Sequence, residues 1–119
     1  ADKIWRAVCE AVSIYFSQMR GIESVVSKDS KEGFTVNGEA ISSLSGSTLS
    51  ILGLALRVAL VKTFLPSCDI LLLDEPFDGA DSSRRDSMLG FIVQSGFMQM
   101  IIITHENSTE NFSDELLLL

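Results

Sequence analysis

Apolar residues near the start of the chain recur at the spacing of an amphipathic helix. Between residues 4 and 19 they follow mostly at three- and four-residue steps, and they are Ile4, Val8, Val12, Tyr15, Phe16 and Met19. This spacing places them on one face of a helix, which we expect to be buried. Gly21 is the predicted end of this helix, because glycine commonly follows the last helical turn.

A polar and charged stretch, residues 23–33, separates that helix from a short β-prone segment. Residues 34–41 read Phe-Thr-Val-Asn-Gly-Glu-Ala-Ile, so an Asn-Gly pair lies between two short runs. Asn37 and Gly38 tolerate the positive φ angles that a tight turn needs. We therefore predict a small β-hairpin over residues 34–41.

The centre of the chain contains its longest apolar run. Residues 42–48 form a loop of small residues, and residues 49–64 are then apolar on nearly all sides. The interruptions are Ser50, Gly53, Arg57, Lys62 and Thr63. A helix with this composition is expected to lie deep in the core.

Two continuous apolar runs follow, with a helical pattern between them. Residues 70–73 and 100–104 are typical of strands covered on both faces. Ser82 or Ser83 can cap the intervening helix, whose inward residues are predicted to be Met88, Leu89, Ile92 and Val93. Strand, helix and strand form a βαβ unit, in which the crossover helix makes the two strands parallel. Such crossovers are right-handed. The predicted fold class is α/β, and residues just after both strands share one edge of the sheet.

The composition fits a single globular unit and excludes several classes of function. Nine Lys and Arg against sixteen Asp and Glu give a net charge of −7. This argues against a stand-alone nucleic-acid-binding protein, because affinity for phosphate backbones comes mainly from clustered cations. The apolar run carries Arg57 and is shorter than the roughly 20 residues that cross a bilayer, so we expect no membrane segment. Cys9 and Cys68 lack metal-ligand spacing, and we expect two free thiols in a reducing, cytoplasmic setting.

The first apolar strand ends in two adjacent carboxylates, Asp74 and Glu75. An aspartate at a strand tip can hold a Mg²⁺-bound water, and the next carboxylate can orient or deprotonate an attacking water. The alternative is that they only cap a loop. His105 is the one histidine in the sequence and follows the second strand, so it is expected at the same edge. There it can contact a phosphate or place a water, or bond only to backbone.

Two further loops are candidates for ligand contact. Ser45, Gly46 and Ser47 precede the long apolar helix, where free N–H groups and the helix dipole favour an anion. The alternative for Ser45 or Ser47 is simple N-capping, which is also the default interpretation of Asp81 at the end of the tight turn 78–81. The P-loop motif Gly-x-x-x-x-Gly-Lys-Ser/Thr is absent from the sequence. The chain therefore cannot hold a triphosphate in that way unaided.

Four motifs occur in a fixed order along the chain. They are Leu-Ser-Gly-Ser at 44–47, Ile-Leu-Leu-Leu-Asp-Glu-Pro at 70–76, Asp-Gly-Ala-Asp at 78–81 and Ile-Ile-Thr-His at 102–105. This set resembles the second half of an ABC-type ATPase head, which has a P-loop NTPase-like fold. The hairpin before the first motif, and a first helix like one returning from a coiled coil, resemble the SMC-type DNA-repair ATPases. The strongest likeness is to the SbcC-like ATPase subunit of double-strand-break repair nucleases, including their phage counterparts.

The resemblance implies a metal-binding role for one residue and catalytic roles for two. Asp74 matches the Walker B aspartate, which lies near Mg²⁺. Glu75 matches the catalytic glutamate that positions water, and His105 matches the switch histidine. The implied cofactors are ATP and Mg²⁺.

The resemblance also assigns the two loops to the nucleotide. Ser45, Gly46 and Ser47 match the signature loop, which contacts the γ-phosphate of ATP held by the opposite head. Asp81 matches the D-loop aspartate. Ser47 stands where the family usually has a second glycine, and we expect this difference to affect nucleotide-driven dimerisation more than the fold.

Several partners follow from the same resemblance. They are the N-terminal lobe of the same protein, which carries the P-loop, a second ATPase head in a homodimer, a nuclease subunit and double-stranded DNA. The chain opens on Ala1 without an initiator Met, so we expect residues 1–119 to be a single partial domain. Because the P-loop lysine is missing, we expect this domain to be inactive alone. Two alternatives keep the fold. One is the nucleotide-binding domain of an ABC transporter, with a helical subdomain in place of the hairpin, and the other is a non-hydrolysing dimerisation module.

Overall fold

The computed structural model describes residues 2–31 and 33–103, and this part of the chain forms three α-helices and five β-strands. In chain order they are α1 (Asp2–Arg20), β1 (Val26–Asp29), β2 (Gly33–Val36), β3 (Glu39–Ala40), α2 (Gly46–Phe64), β4 (Ile70–Asp74), α3 (Ser82–Gln94) and β5 (Gln99–Ile103). A short 3₁₀ turn, Ile41–Ser43, precedes α2. The elements therefore follow the predicted α/β order.

Helix α1 supplies one wall of the core through its apolar face. The predicted residues Val8, Val12, Phe16 and Met19 are buried, and Tyr15 is partly buried. Ile4 is exposed, so its predicted burial is wrong. Trp5 packs at this end of the helix instead, with its ring centroid 5.8 Å from that of Phe34 in an edge-to-face arrangement.

Helix α3 packs against both α1 and α2. Met88, Leu89 and Ile92 are buried as predicted, but Val93 is exposed and Phe91 is buried instead. The reason is the helical repeat of about 3.6 residues per turn, which places position 91 nearer than position 93 to the face centred on Met88 and Ile92. A tilted aromatic contact between Phe91 and Tyr15, with centroids 5.1 Å apart, joins α3 to α1.

The predicted hairpin is confirmed and belongs to a three-stranded antiparallel sheet. Strands β2 and β3 are joined by Asn37 and Gly38, both with positive φ, as a type I′ turn requires. Strand β1, in the stretch we had interpreted only as polar, pairs with β2 and gives the order β1-β2-β3. Sequence pattern missed β1 because Val26 is its one buried residue.

The turn leads to a stability prediction. Gly38→Ala is expected to destabilise the chain by about 1–2 kcal/mol, because a side chain at φ near 85° is strained even though nothing lies within 4 Å of the new Cβ. Gly53→Ala is the matched control, since Gly53 lies in α2, has equally open space and should gain roughly 0.5–1 kcal/mol from the better helix former. Urea denaturation of both variants measures the contrast. Equal shifts in the same direction would contradict this account of the turn.

The βαβ unit has the predicted parallel pairing. Strands β4 and β5 are in register from Ile70 with Gln99 to Asp74 with Ile103. Leu71 and Leu73 face the core, whereas the side chains of Ile70 and Leu72 are 50% and 53% exposed. The prediction that these strands are covered on both faces is therefore wrong for the described residues, because the three helices described above pack on only one side of the sheet.

Helix α2 packs along α1 through buried residues that include Ile51, Ala55 and Val58. Its burial is less complete than predicted, since Leu49 and Phe64 are exposed. By length and composition alone, this helix would also be long enough and apolar enough to span a membrane, a property that many core helices share. Arg57 on its exposed side donates a hydrogen bond to the carbonyl of Leu72 at 3.2 Å, which covers part of the open edge of β4.

Candidate functional site

The two adjacent carboxylates lie at the carboxyl edge of the parallel sheet. Asp74 is the last residue of β4, pairs with Ile103 of β5 and is exposed. The backbone N–H of Glu75 donates to the carbonyl of Ile103 at 2.7 Å. The ends of both strands therefore meet at one edge, and Asp74 is open to a ligand there.

Glu75 has an unusual backbone conformation for a residue with a side chain. Its φ is 48°, in the left-handed region, which costs a non-glycine residue on the order of 1–3 kcal/mol. Its side chain is half-buried, and the Oε1 atom is shielded from solvent. Strain of this kind is commonly kept at sites where it aims a functional group.

The predicted switch histidine lies outside the described residues. Strand β5 ends at Ile103 beside Asp74, and His105 is two positions further along the sequence. Its predicted role at this edge stays a prediction.

The loop at the start of α2 caps that helix. Ser45 is the N-cap, and its hydroxyl accepts from the backbone N–H of Thr48 at 3.3 Å and lies 2.8 Å from the hydroxyl of Thr48. Ser45 and Gly46 are exposed and Ser47 is half-buried. A Cβ built on Gly46 would meet nothing within 4 Å, so there is room for an anion to approach the N–H groups. The capping interpretation of Ser45 is confirmed, and it leaves the loop open to a ligand.

The loop after β4 is held in place at its two ends. The side chain of Phe77, near the start of this loop, is buried in the core. The backbone N–H of Ala80 donates a hydrogen bond to the Phe77 carbonyl at 2.9 Å. Asp81 is the N-cap of α3, where its carboxylate accepts from the backbone N–H of Arg84 at 2.8 Å. The default interpretation of Asp81 as a helix cap is confirmed.

Ser50 joins the two loops and was not predicted as a site residue. Its hydroxyl lies 2.7 Å from the carbonyl oxygen of Asp78 and 3.2 Å from that of Gly46. The signal in the sequence was weak, since Ser50 is one of five residues that interrupt the apolar run of residues 49–64. Its partner, 28 positions away, could not be identified from that pattern.

The carboxylates fit a magnesium ion that is delivered with a nucleotide. Among the described residues no group of three or more His, Cys, Asp or Glu side chains is placed to hold a metal by itself. Magnesium is usually bound by one or two carboxylates together with phosphate oxygens and water. Asp74, exposed at the strand tip, meets that requirement with Glu75 next to it.

Sequence comparison relates the chain to DNA-repair ATPases. The DNA double-strand break repair Rad50 ATPase of Methanococcus maripaludis is 32% identical over 82 residues, which is 68% of this chain and 8% of that protein. The DNA repair protein RAD50 of Drosophila melanogaster is 30% identical over 131 aligned positions, covering 94% of this chain and 10% of that protein. The chain thus spans about a tenth of the length of these curated relatives. No family model matches it.

Comparison with solved structures relates the fold to SMC heads. An SMC head bound to the C-winged helix domain of ScpA superimposes with a TM-score of 0.77 and 18% identity, covering 98% of this chain and 40% of that one. The SMC head domain from Thermotoga maritima gives 0.74 and 20% identity, with 96% and 43% covered. At these identities the likeness concerns the fold. Together, the similarity to Rad50 ATPases and the fold shared with SMC heads identify the chain as the C-terminal lobe of an SMC/Rad50-like ABC ATPase head.

Proposed function

We propose that the full-length protein binds and hydrolyses ATP between two heads, and that turnover is coupled to DNA double-strand-break repair or recombination. In this proposal it is the ATPase subunit of an SbcCD-like nuclease acting on double-stranded DNA. The observation that carries the proposal is the pair Asp74 and Glu75 at the exposed tip of β4, on the edge where β5 also ends. Relatives named for Rad50 ATPase support it.

Each carboxylate has a distinct task in this proposal. Asp74 would hold Mg²⁺ through a water or directly, and Mg²⁺ when bound neutralises charge on the β- and γ-phosphates. Glu75 orients the attacking water and accepts its proton at a carboxylate oxygen. His105, two positions after the last residue of β5 in the sequence, would serve as the switch residue.

The two loops serve the nucleotide of the opposite head. Ser45, Gly46 and Ser47 offer backbone N–H groups and hydroxyls at the N-terminus of α2, where an anionic γ-phosphate is favoured. Asp81 keeps the loop before α3 in shape through its capping bond, so that this loop can approach the second head. Neither loop would serve ATP bound to its own head.

The open face of the sheet supports an upstream lobe as the first partner. Ile70, Leu72 and Ile101 share this face, and each is between 44% and 53% exposed. A contiguous apolar surface of this kind is typical of an interface. We propose that the N-terminal lobe, with the P-loop, covers it in the complete head.

The three-stranded sheet argues for the DNA-repair class over a membrane transporter. A transporter domain was expected to carry a helical subdomain before the signature loop, and β1, β2 and β3 stand there instead.

A cytoplasmic location is part of the proposal. It is supported by the two free cysteines, of which Cys9 is buried. Burial raises the pKa of the Cys9 thiol, an effect that the charge of Lys28 opposes, so the thiol stays protonated at neutral pH.

Reconstitution tests the proposed function. The isolated chain is expected to show no measurable ATPase, because the cationic P-loop lysine that contacts the β- and γ-phosphates is absent from it. Addition of a separately expressed upstream lobe should restore Mg²⁺-dependent phosphate release in a coupled assay. A correctly folded complex of the two lobes without turnover would contradict the proposal.

A further inference from the structure

The hydroxyl of Ser50 contacts the main chain of both loops of the site. It lies 2.7 Å from the carbonyl oxygen of Asp78, in the loop after β4, and 3.2 Å from that of Gly46, in the loop that begins α2. A serine hydroxyl has one proton to donate. The shorter distance therefore identifies Asp78 as the main acceptor, with Gly46 as the weaker one.

The loop after β4 passes close to Ser50 at Asp78 and Gly79. Gly79 follows Asp78 with a φ of 80°, and a Cβ built on it would lie 3.9 Å from the Ser50 hydroxyl oxygen. The loop is anchored by buried Phe77 and by the Asp81 cap, so its middle is the part that needs another support. In the described part of the chain, the Ser50 to Asp78 bond provides that support from α2.

We infer that Ser50 is a positioning residue that holds the loop after β4 and the loop that begins α2 in one fixed relative placement. The inference rests on the proposed function, in which both loops meet the second head across a shared ATP. In this inference Ser50 acts through the two loops and not on the nucleotide itself. If its bond is lost, only a fraction of heads has both loops in place at once, and apparent dimer affinity falls by that fraction.

The experiment uses the full-length protein and two kinds of variant. Ser50→Thr keeps the hydroxyl and adds a methyl group. Ser50→Val has the shape of threonine without the hydroxyl, so the comparison of these two variants isolates the hydroxyl. Ser87→Ala is the control, since Ser87 is an exposed serine on α3 that belongs to neither loop. ATP-dependent head dimerisation is measured by sedimentation, and ATP binding to monomeric heads is measured with a fluorescent nucleotide.

The expected result is a split between the two measurements. Ser50→Val should weaken ATP-dependent dimerisation about five- to tenfold, the loss of one hydrogen bond, while binding to the monomeric head stays within about twofold. Ser50→Thr should dimerise like wild type, and so should Ser87→Ala. A purely structural role would instead lower both measurements together.

Two outcomes overturn the inference alone, and a third overturns the proposed function together with it. Ser50→Val that dimerises like wild type, or Ser50→Thr that fails as badly as Ser50→Val, removes the role of the hydroxyl. If wild-type protein hydrolyses ATP normally in either case, the proposed function survives. A wild-type protein that neither dimerises nor turns over with ATP contradicts the proposed function, and the inference about Ser50 falls with it.

Discussion

Glu75→Gln in the full-length protein is expected to lower kcat for ATP hydrolysis by about 10²–10⁴-fold, the usual contribution of a positioned general base. Glutamine keeps the size and one carbonyl oxygen of the side chain but cannot accept the proton of the attacking water. Because the change leaves Asp74 and both loops untouched, nucleotide binding should persist. ATP-bound dimers should then accumulate, since the step that opens them is blocked.

Phosphate release and the fraction of dimer in the presence of ATP are the two measurements. Asp86→Asn is the matched control, because Asp86 is an exposed carboxylate on α3 and the substitution makes the same change in charge. It should leave kcat unchanged. Turnover by Glu75→Gln at the wild-type rate would remove the mechanism, whereas wild-type protein that dimerises with ATP but does not hydrolyse it would favour a non-hydrolysing dimerisation module.

The shared edge at the site could be predicted because it follows from chain topology. A βαβ unit makes its strands parallel, and this places Asp74 and the end of β5 side by side whatever the details of packing. Register confirms it, with Asp74 opposite Ile103. Helix faces were predicted for the same kind of reason, since periodicity is local to the chain.

Two features that sequence missed depend on contacts between distant segments. Strand β1 forms because its backbone pairs with β2. The bond from Ser50 to Asp78 joins positions 28 residues apart. The pattern of hydrophobic residues does not indicate which distant segments pair, so these contacts are visible only in the folded chain.

The capping residues show a different limit. Ser45 and Asp81 both cap helices, as their residue types predict, and both also match loops that contact nucleotide in the resembled family. A cap and an anion site use the same free N–H groups at a helix start, so one pattern serves both. Residue type alone therefore predicts a helix cap and an anion site equally at these positions.

Phe16→Ala is expected to destabilise this chain by about 3–5 kcal/mol, the typical cost of removing a fully buried aromatic side chain. Phe16 has no exposed surface and lies in the core formed where α1 packs along α2. The arginine at the end of the helix adds a further contact, since the Arg20 guanidinium carbon lies 5.4 Å from the Phe16 ring centroid. Truncation leaves a cavity between two helices that can close only partly.

Ile14→Ala on the same helix is the matched control, because the Ile14 side chain is 57% exposed and its removal should change stability by no more than about 0.5 kcal/mol. Urea denaturation gives the free energy of unfolding for both, and an unchanged m-value would show that the loss lies in the folded state. Since α2 begins at Gly46, within the proposed signature loop, a loosened contact with α1 should lower reconstituted ATPase in proportion to the unfolded fraction. Similar losses for Phe16→Ala and Ile14→Ala would mean that α1 does not pack on α2 through the face described above.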